Sequence, residues 1–307
     1  DPQYLITAVN QFMQVSGKPP LFEVELVAAK KEVVLNNGLF TVHADKLLKE
    51  VKKTDLVFIP ALFGDMQESI ENNKELIPWI QDQYHRGAEL ASLCVGAFLL
   101  ASTGLLNGKR CSTHWGFQQE FKKRFPEVEV VEGNIVTEEK GIYSSGGAHS
   151  YWNLLLHLVE KYSNRETAIL ASKYFAIDID RNSQAAFAMF NGQKEHGDVE
   201  ISRVQEYIEK HINDRIGIDE LAALVHLGRR TFERRFKAAT HHPVLDYIQR
   251  VKMEAAKRKF ESSRKNINEV MFDVGYTDTK AFRSVFKRIT GLTPVEYRNK
   301  YNKMALA

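Results

Sequence analysis

A chain of 307 residues, 44% hydrophobic and 26% charged, is long for one ordinary core and reads as a globular protein of two domains. Its net charge of +3 hides a polarity, because residues 1–199 carry 20 Lys+Arg against 25 Asp+Glu and residues 200–307 carry 22 against 14. No apolar run nears the about 18 residues of a membrane span, the opening DPQYLITAVNQF lacks a signal peptide's pattern, and two cysteines make no disulfide framework, so a cytoplasmic protein with no membrane partner is expected.

In chain order, FEVELVA (22–28) and DLVFIPA (55–61) read as buried strands, and ESIENNKELIPWIQDQYHR (68–86) predicts a helix broken near Pro78. GAELASLC (87–94) reads as a strand ending on Cys94, and VGAFLLASTGLL (95–106) as the helix that follows. KGIYSSGG (140–147) predicts a strand and loop, and AHSYWNLLLHLVEKYS (148–163) a long helix. Strands alternating with helices imply α/β architecture, with a parallel sheet covered on both faces. Sites in such sheets form at the carboxyl ends of strands, where Cys94 falls. Strand, Cys94-Val95-Gly96 and helix have the shape of a nucleophile elbow. Gly96 lets the helix pack close, and the helix N-terminus is expected to favour a thiolate.

The segment LCVGAFLLASTGLLNGKRCSTHW, with IPALFGDM before it and IYSSGGAHSYWNLLLHLVE after it, resembles the PfpI-like domains of the class I glutamine amidotransferase-like superfamily. The likeness covers about residues 1–190 and is greatest to domains fused to AraC-type modules, the GlxA-type regulators. It implies a flavodoxin-like sandwich and a ligand pocket lined by Gly64, Asp65, Cys94, Val95, Thr113 and His114, with Gly146 and Gly147 nearby. Peptidase-like relatives place His directly after the cysteine, where this chain has Val95, which moves no proton. The STHW loop that carries His114 also occurs in the non-catalytic regulators. The family fold begins with a strand whose following loop supplies an acid beside the cysteine. DPQYLITAVNQFM resembles the helix after that strand, so strand and acid are expected to lie outside this sequence.

No catalytic residue is therefore assigned. The domain is expected to sense a small ligand or redox state and to dimerise. The alternatives are a cysteine-dependent amidase- or hydratase-like enzyme and a scaffold with a dead pocket. Cys111 reads as a small buried hydrophobe, and His241-His242 lacks metal-ligand spacing, so no metal or cofactor is expected.

RNSQAAFAMF (181–190) resembles the end of the first domain, and NGQKEHGDVE (191–200) reads as a polar linker, leaving 201–307 as a second, all-α domain. A duplication lies within it. DELAALVHLGRRTFERRFKAATHHPVLDY (219–247) aligns with NEVMFDVGYTDTKAFRSVFKRITGLTPVEY (268–297), so that Phe232, Phe236, Thr240, Pro243 and Tyr247 match Phe282, Phe286, Thr290, Pro294 and Tyr297. Each unit predicts a short helix, a tight turn and a second helix, with its phenylalanines at i, i+4 on the buried face. Between them VLDYIQRVKMEAAKRKFESS (244–263) predicts a rigid helical spacer. Two such units on one spacer suit successive major grooves about 34 Å apart on one face of DNA.

The stretches LAALVHLGRRTFERRFK, RVKMEAAKRK and VGYTDTKAFRSVFKRITGLTPVEYR resemble the AraC/XylS-type DNA-binding domain over about a hundred residues. The resemblance places base-reading positions on Arg230, Glu233 and Arg234 in the first unit and on Thr279, Lys280, Arg283 and Ser284 in the second. Arg and Lys suit guanine O6/N7, and Glu suits the cytosine amino group. Arg229, Arg235, Lys237 and Lys287 are expected on phosphates. Gly228 stands where a capping residue is usual, and Met271 and Phe272 where small residues are common. Together the halves imply a DNA-binding transcription regulator, a nucleoid-associated homodimer with a small-molecule effector.

Overall fold

The computed structural model describes residues 2–35 and 38–302. They fall into two compact units that divide between Gln184 and Ala185. Among the described residues no helix is long and apolar enough to cross a membrane.

In the first unit, strands Leu56–Ile59 (β5), Glu89–Ser92 (β6), Val136–Glu139 (β9) and Ile142–Ser145 (β10) make a sheet of order β5-β6-β10-β9, parallel except at the β9 edge. Strands Val27–Ala28 (β1), Glu32–Leu35 (β2), Phe40–His43 (β3), Lys46–Leu47 (β4), Arg110–Cys111 (β7) and Glu129–Val130 (β8) pair outside it, β1 with β4, β2 with β3 and β7 with β8. Side chains alternate across the sheet. Val57, Ile59, Leu90 and Ile142 face one core with helices Met66–Asn72 (α2), Leu76–His85 (α3), Ala97–Ser102 (α4) and Gln118–Arg124 (α5). Phe58, Ala91, Leu93 and Tyr143 face the other side, closed by Pro2–Val15 (α1), Tyr151–Tyr162 (α6) and Arg165–Tyr174 (α7). This is the doubly covered α/β sandwich that the alternation predicts.

Two local expectations change, and one strand is new. Most of FEVELVA is irregular, because the backbone at Leu21 and Phe22 is satisfied by the Asn10 side chain (3.0 Å to each amide and 2.7 Å from Nδ2 to the Phe22 carbonyl) instead of a ladder. The helix expected over 68–86 breaks at residues 73–75, ahead of Pro78, whose ring tolerates only the first turn of α3. β9 was not foreseen. It folds back on β10 through Lys140 (φ 53°) and Gly141 (φ 74°), the paired left-handed residues of a tight hairpin.

The second unit is helical: Val199–Lys210 (α8), Ile218–Leu224 (α9), Arg229–Thr240 (α10), Val244–Ser262 (α11), Ile267–Asp273 (α12), Thr279–Thr290 (α13) and Pro294–Tyr301 (α14). It holds two small cores. Phe232, Phe236, Tyr247 and Ile248 with α8 and α9 make the first, and Met253, Phe260, Phe282, Phe286 and Tyr297 make the second. α11, roughly 28 Å long, gives its first half to one core and its second half to the other. Met271 fits inside the second core, while Phe272 points outward and stays exposed.

Candidate nucleic-acid interface and cysteine elbow

The duplicated sequence is duplicated in space. Tyr247 meets Phe236 edge-on (5.2 Å between ring centroids, 86°), and Tyr297 meets Phe286 in the same way (5.5 Å, 83°). Thr240 donates to the Phe236 carbonyl at 2.8 Å, and Thr290 to that of Phe286 at 2.8 Å. Each threonine also accepts from the backbone amide two residues on, at 3.2 Å. Both helices then stop on a left-handed residue, His241 (φ 59°) and Gly291 (φ 75°). These contacts fix α10 and α13 on their apolar faces and leave the opposite faces to solvent.

On α10, Arg229, Arg230, Arg234 and Lys237 are exposed and Glu233 is half-buried. On α13, Lys280, Arg283, Ser284 and Lys287 are exposed and Thr279 is half-buried. Arg230, Arg234, Lys237, Lys280, Arg283 and Lys287 have no ion-pair partner among the described residues. Arg229 is shared between Asp219 (3.2 Å) and Glu233 (3.5 Å). Arg235 differs. Its guanidinium forks onto the Asp198 carboxylate at 2.6 and 2.8 Å, and the same carboxylate caps α8 by accepting from the Ile201 amide. Arg235 is thus spent on tying α10 to α8, and the sequence carried no mark separating it from its neighbours.

Capping also differs between the repeats. Gly228 starts α10 with no side-chain cap, whereas Asp278 starts α13 and accepts from the Ala281 amide at 2.8 Å. Arg288 of α13 reaches Asp246 (3.3 Å) on α11, which also pairs with Arg250 (2.7 Å) and His242 (3.2 Å). Hydrogen bonds from His242 and Arg250 hold the Asp246 carboxyl well below the usual range despite its burial. This cluster joins the end of the first repeat to the second, a link the sequence reading missed.

In the first unit the elbow is real. Cys94 follows β6 at φ 55°, and a Cβ added to Gly96 would stand 2.5 Å from the Ile59 and Pro60 carbonyls, so only glycine lets α4 approach β5. The thiol is not activated as expected. Cys94 is 7% exposed and burial pushes its thiol up, outweighing the hydrogen bond from the Val95 amide. The helix N-terminus does not compensate, because the elbow opens as a short 3-10 turn, Cys94–Gly96, walled by apolar side chains.

Cys94, Thr113 and His114 are gathered with Gly146 and Gly147 at the carboxyl end of the sheet. Thr113 Oγ1 donates to the Cys94 carbonyl (3.2 Å), and a Cβ on Gly147 would lie 3.9 Å from the His114 ring. His114 Nδ1 accepts from the Gly116 amide (3.0 Å), and burial holds its pKa down, which keeps the ring neutral. No hydrogen bond joins it to Cys94 among the described residues. Val95 is buried, Gly64 is exposed at φ 83°, and Asp65 is occupied in capping α2 through the Glu68 amide (2.9 Å). Two groups not foreseen complete the site: Ser145, accepting from the Cys94 amide at 3.0 Å, and Gln184, donating to the Thr113 carbonyl at 3.0 Å. A separate cleft of about 540 Å³ lies between β9, α6 and residues 179–183. Cys111 is fully buried, its thiol pushed up to about 12.

Comparison with known proteins decides what these two units are. The DJ-1/PfpI family matches residues 11–161, and a helix-turn-helix domain family matches residues 221–300. The chain is similar to the HTH-type transcriptional regulator GbdR of Pseudomonas aeruginosa, 25% identical over 93% of this chain and 77% of that one. It is also similar to the HTH-type transcriptional regulator GlxA of Rhizobium meliloti, 23% identical over 93% of this chain and 87% of that one.

The chain is an AraC-family transcriptional regulator with a DJ-1/PfpI-type N-terminal domain.

A crystal structure from Vibrio parahaemolyticus, described as a candidate transcriptional regulator, shares the fold over 56% of this chain and 88% of its own, with a TM-score of 0.50 and 22% identity. In an AraC-type regulator the helix-turn-helix domain is the DNA-binding part. The exposed basic faces of α10 and α13 therefore lie on the part of the molecule that meets nucleic acid.

Proposed function

We propose that this AraC-type regulator reads a two-part operator with α10 and α13 while its N-terminal domain senses a small effector and pairs two copies, without catalysing a reaction. The observation that carries the DNA half is the pair of exposed basic faces on helices locked by matching contacts. Arg230, Glu233 and Arg234 read bases from α10, and Thr279, Lys280, Arg283 and Ser284 read them from α13. Arg229, Lys237 and Lys287 bind phosphates, and Arg235 leaves that set because Asp198 holds it. The protein then acts in the cytoplasm, on the chromosome.

The sensing half rests on the elbow. A buried thiol with its pKa raised, beside a neutral His114 that makes no bond to it, is a poor nucleophile at neutral pH. The same enclosure, rimmed by Thr113, Gly146 and Gly147, suits a site whose occupancy is read through packing.

The test is selection of genomic fragments by the purified full chain, with Cys94→Ala beside wild type. Recovery of a two-part site, with affinity falling steeply as salt rises, supports the regulator reading. Lys287→Ala is expected to lower the salt slope by about 1 without changing the recovered sequence. Turnover of an amide or nitrile that vanishes in Cys94→Ala would instead establish the enzyme reading.

A further inference from the structure

The last residue of the first unit, Gln184, is 1% exposed, and its side chain turns back into the site beside Cys94. Its carboxamide is fully matched. Oε1 accepts from the Gly147 amide (2.7 Å), and Nε2 donates to the carbonyls of Thr113 (3.0 Å) and Asn134 (3.1 Å). Its own amide donates to the Gly133 carbonyl (2.7 Å). The double glycine exists to admit it, since a Cβ on Gly146 would come within 2.4 Å of Nε2. Thr113, which receives the carboxamide through its carbonyl, holds the Cys94 carbonyl through its hydroxyl.

The next six residues are pinned within the second unit. The Ala186 carbonyl accepts from the Tyr301 hydroxyl (3.3 Å), and the Lys300 ammonium stands 4.5 Å over the Phe187 ring. The Ala188 carbonyl accepts from Lys257 (2.6 Å), and the Phe190 amide donates to Glu254 (3.2 Å), the two side chains being a buried pair on α11. The Phe190 ring closes against Tyr247 (5.2 Å). Residues 185–190 are thus held by side chains of the second unit, directly after a residue held in the first.

We propose that Gln184 is a positioning residue that couples the cysteine elbow to the chain entering the DNA-binding unit: whatever breaks the Cys94–Thr113 hydrogen bond and displaces Thr113 releases the carboxamide and loosens residues 185–190. This rests on the reading of the elbow as a sensing site and adds the route by which sensing leaves it. The geometry asks for a primary amide. Glu has the same size but places a carboxylate against two carbonyls, with no proton to donate.

Hydrogen exchange and Cys94 alkylation on the full chain, with iodoacetamide as the probe and no DNA or effector present, test the coupling. Gln184→Glu is expected to raise exchange about tenfold at Gly146–Gly147 and also at residues 185–190, the size that goes with losing a buried hydrogen bond. It is also expected to speed alkylation of Cys94 while leaving Cys111 protected. In wild type, alkylating Cys94 should itself raise exchange at 185–190. A change confined to residues 146–147, with 185–190 and the Cys94 rate at wild-type values, would make Gln184 a local packing residue and overturn the proposal. Should the Glu variant fail to fold, Gln184→Ala decides, because it removes the amide without adding charge. The readout needs no operator, so a failed sensing reading appears separately, as coupled exchange with no effect of Cys94→Ala on operator binding at any effector.

Discussion

Arg234 and Arg235 are adjacent, both basic, and both lie on the recognition helix, yet only Arg235 finds Asp198. That distinction is tertiary and left no trace in the sequence. Because the Arg235 guanidinium and the Ile201 amide hold the Asp198 carboxyl below its usual range, the pair's contribution is present above about pH 4. It is lost as pH falls through the lowered folded-state value. Arg235→Gln is therefore expected to destabilise the second unit modestly at pH 7, because the pair is partly exposed, and to lose that effect as pH falls through the lowered Asp198 value. Denaturant melts across that range check it; a cost that does not change with pH contradicts the assignment. For Cys94, burial outweighs the elbow, so the rate of alkylation by iodoacetamide should keep rising above the ordinary thiol range of about 8.5. A plateau near neutrality would restore the activated thiolate.

At the scale of elements, the helices of the second unit were legible because their signals are local: i, i+4 phenylalanines, a threonine followed three or four residues later by proline in each repeat, and a spacer without Pro or Gly. The strands were less so. β9 depends on a two-residue turn at Lys140-Gly141, and the irregular stretch before Val27 depends on Asn10, a side chain eleven or twelve residues away. Caps give the sharpest element-level expectation. Asp278→Ala should destabilise the second unit by about 1 kcal/mol, whereas Gly228→Ser should gain only a few tenths, since glycine is already a tolerable start for α10. Thermal melts of the two variants separate these, and equal effects would mean that α13 does not rely on its cap.

At the scale of the whole molecule, the charge polarity read from composition corresponds to the division of labour. The acidic part is the DJ-1/PfpI-type domain, and the basic part carries two recognition helices on one spacer. Each half of α11 completes a different core, so the repeats are coupled through one rigid element and through Asp246, Arg250 and Arg288. The site in the N-terminal domain was only partly legible. The cysteine, Thr113 and His114 could be placed by motif, but Gln184 lies 37 residues from Gly147 and 71 from Thr113 and had no reason to be drawn in before the fold was known. Its insertion turns a closed elbow into the start of the chain that leads to the DNA-binding unit.

In the proposed function α10 and α13 each read their own part of one operator. The most direct measurement is binding-site selection with wild type, Arg234→Ala and Arg283→Ala, scored for base preference at every position. Each substitution should cost about 1–3 kcal/mol and relax preference in one part of the site only, Arg234→Ala in one part and Arg283→Ala in the other. If both variants kept wild-type affinity and preference, or both relaxed the same positions, α10 and α13 would not read two separate segments.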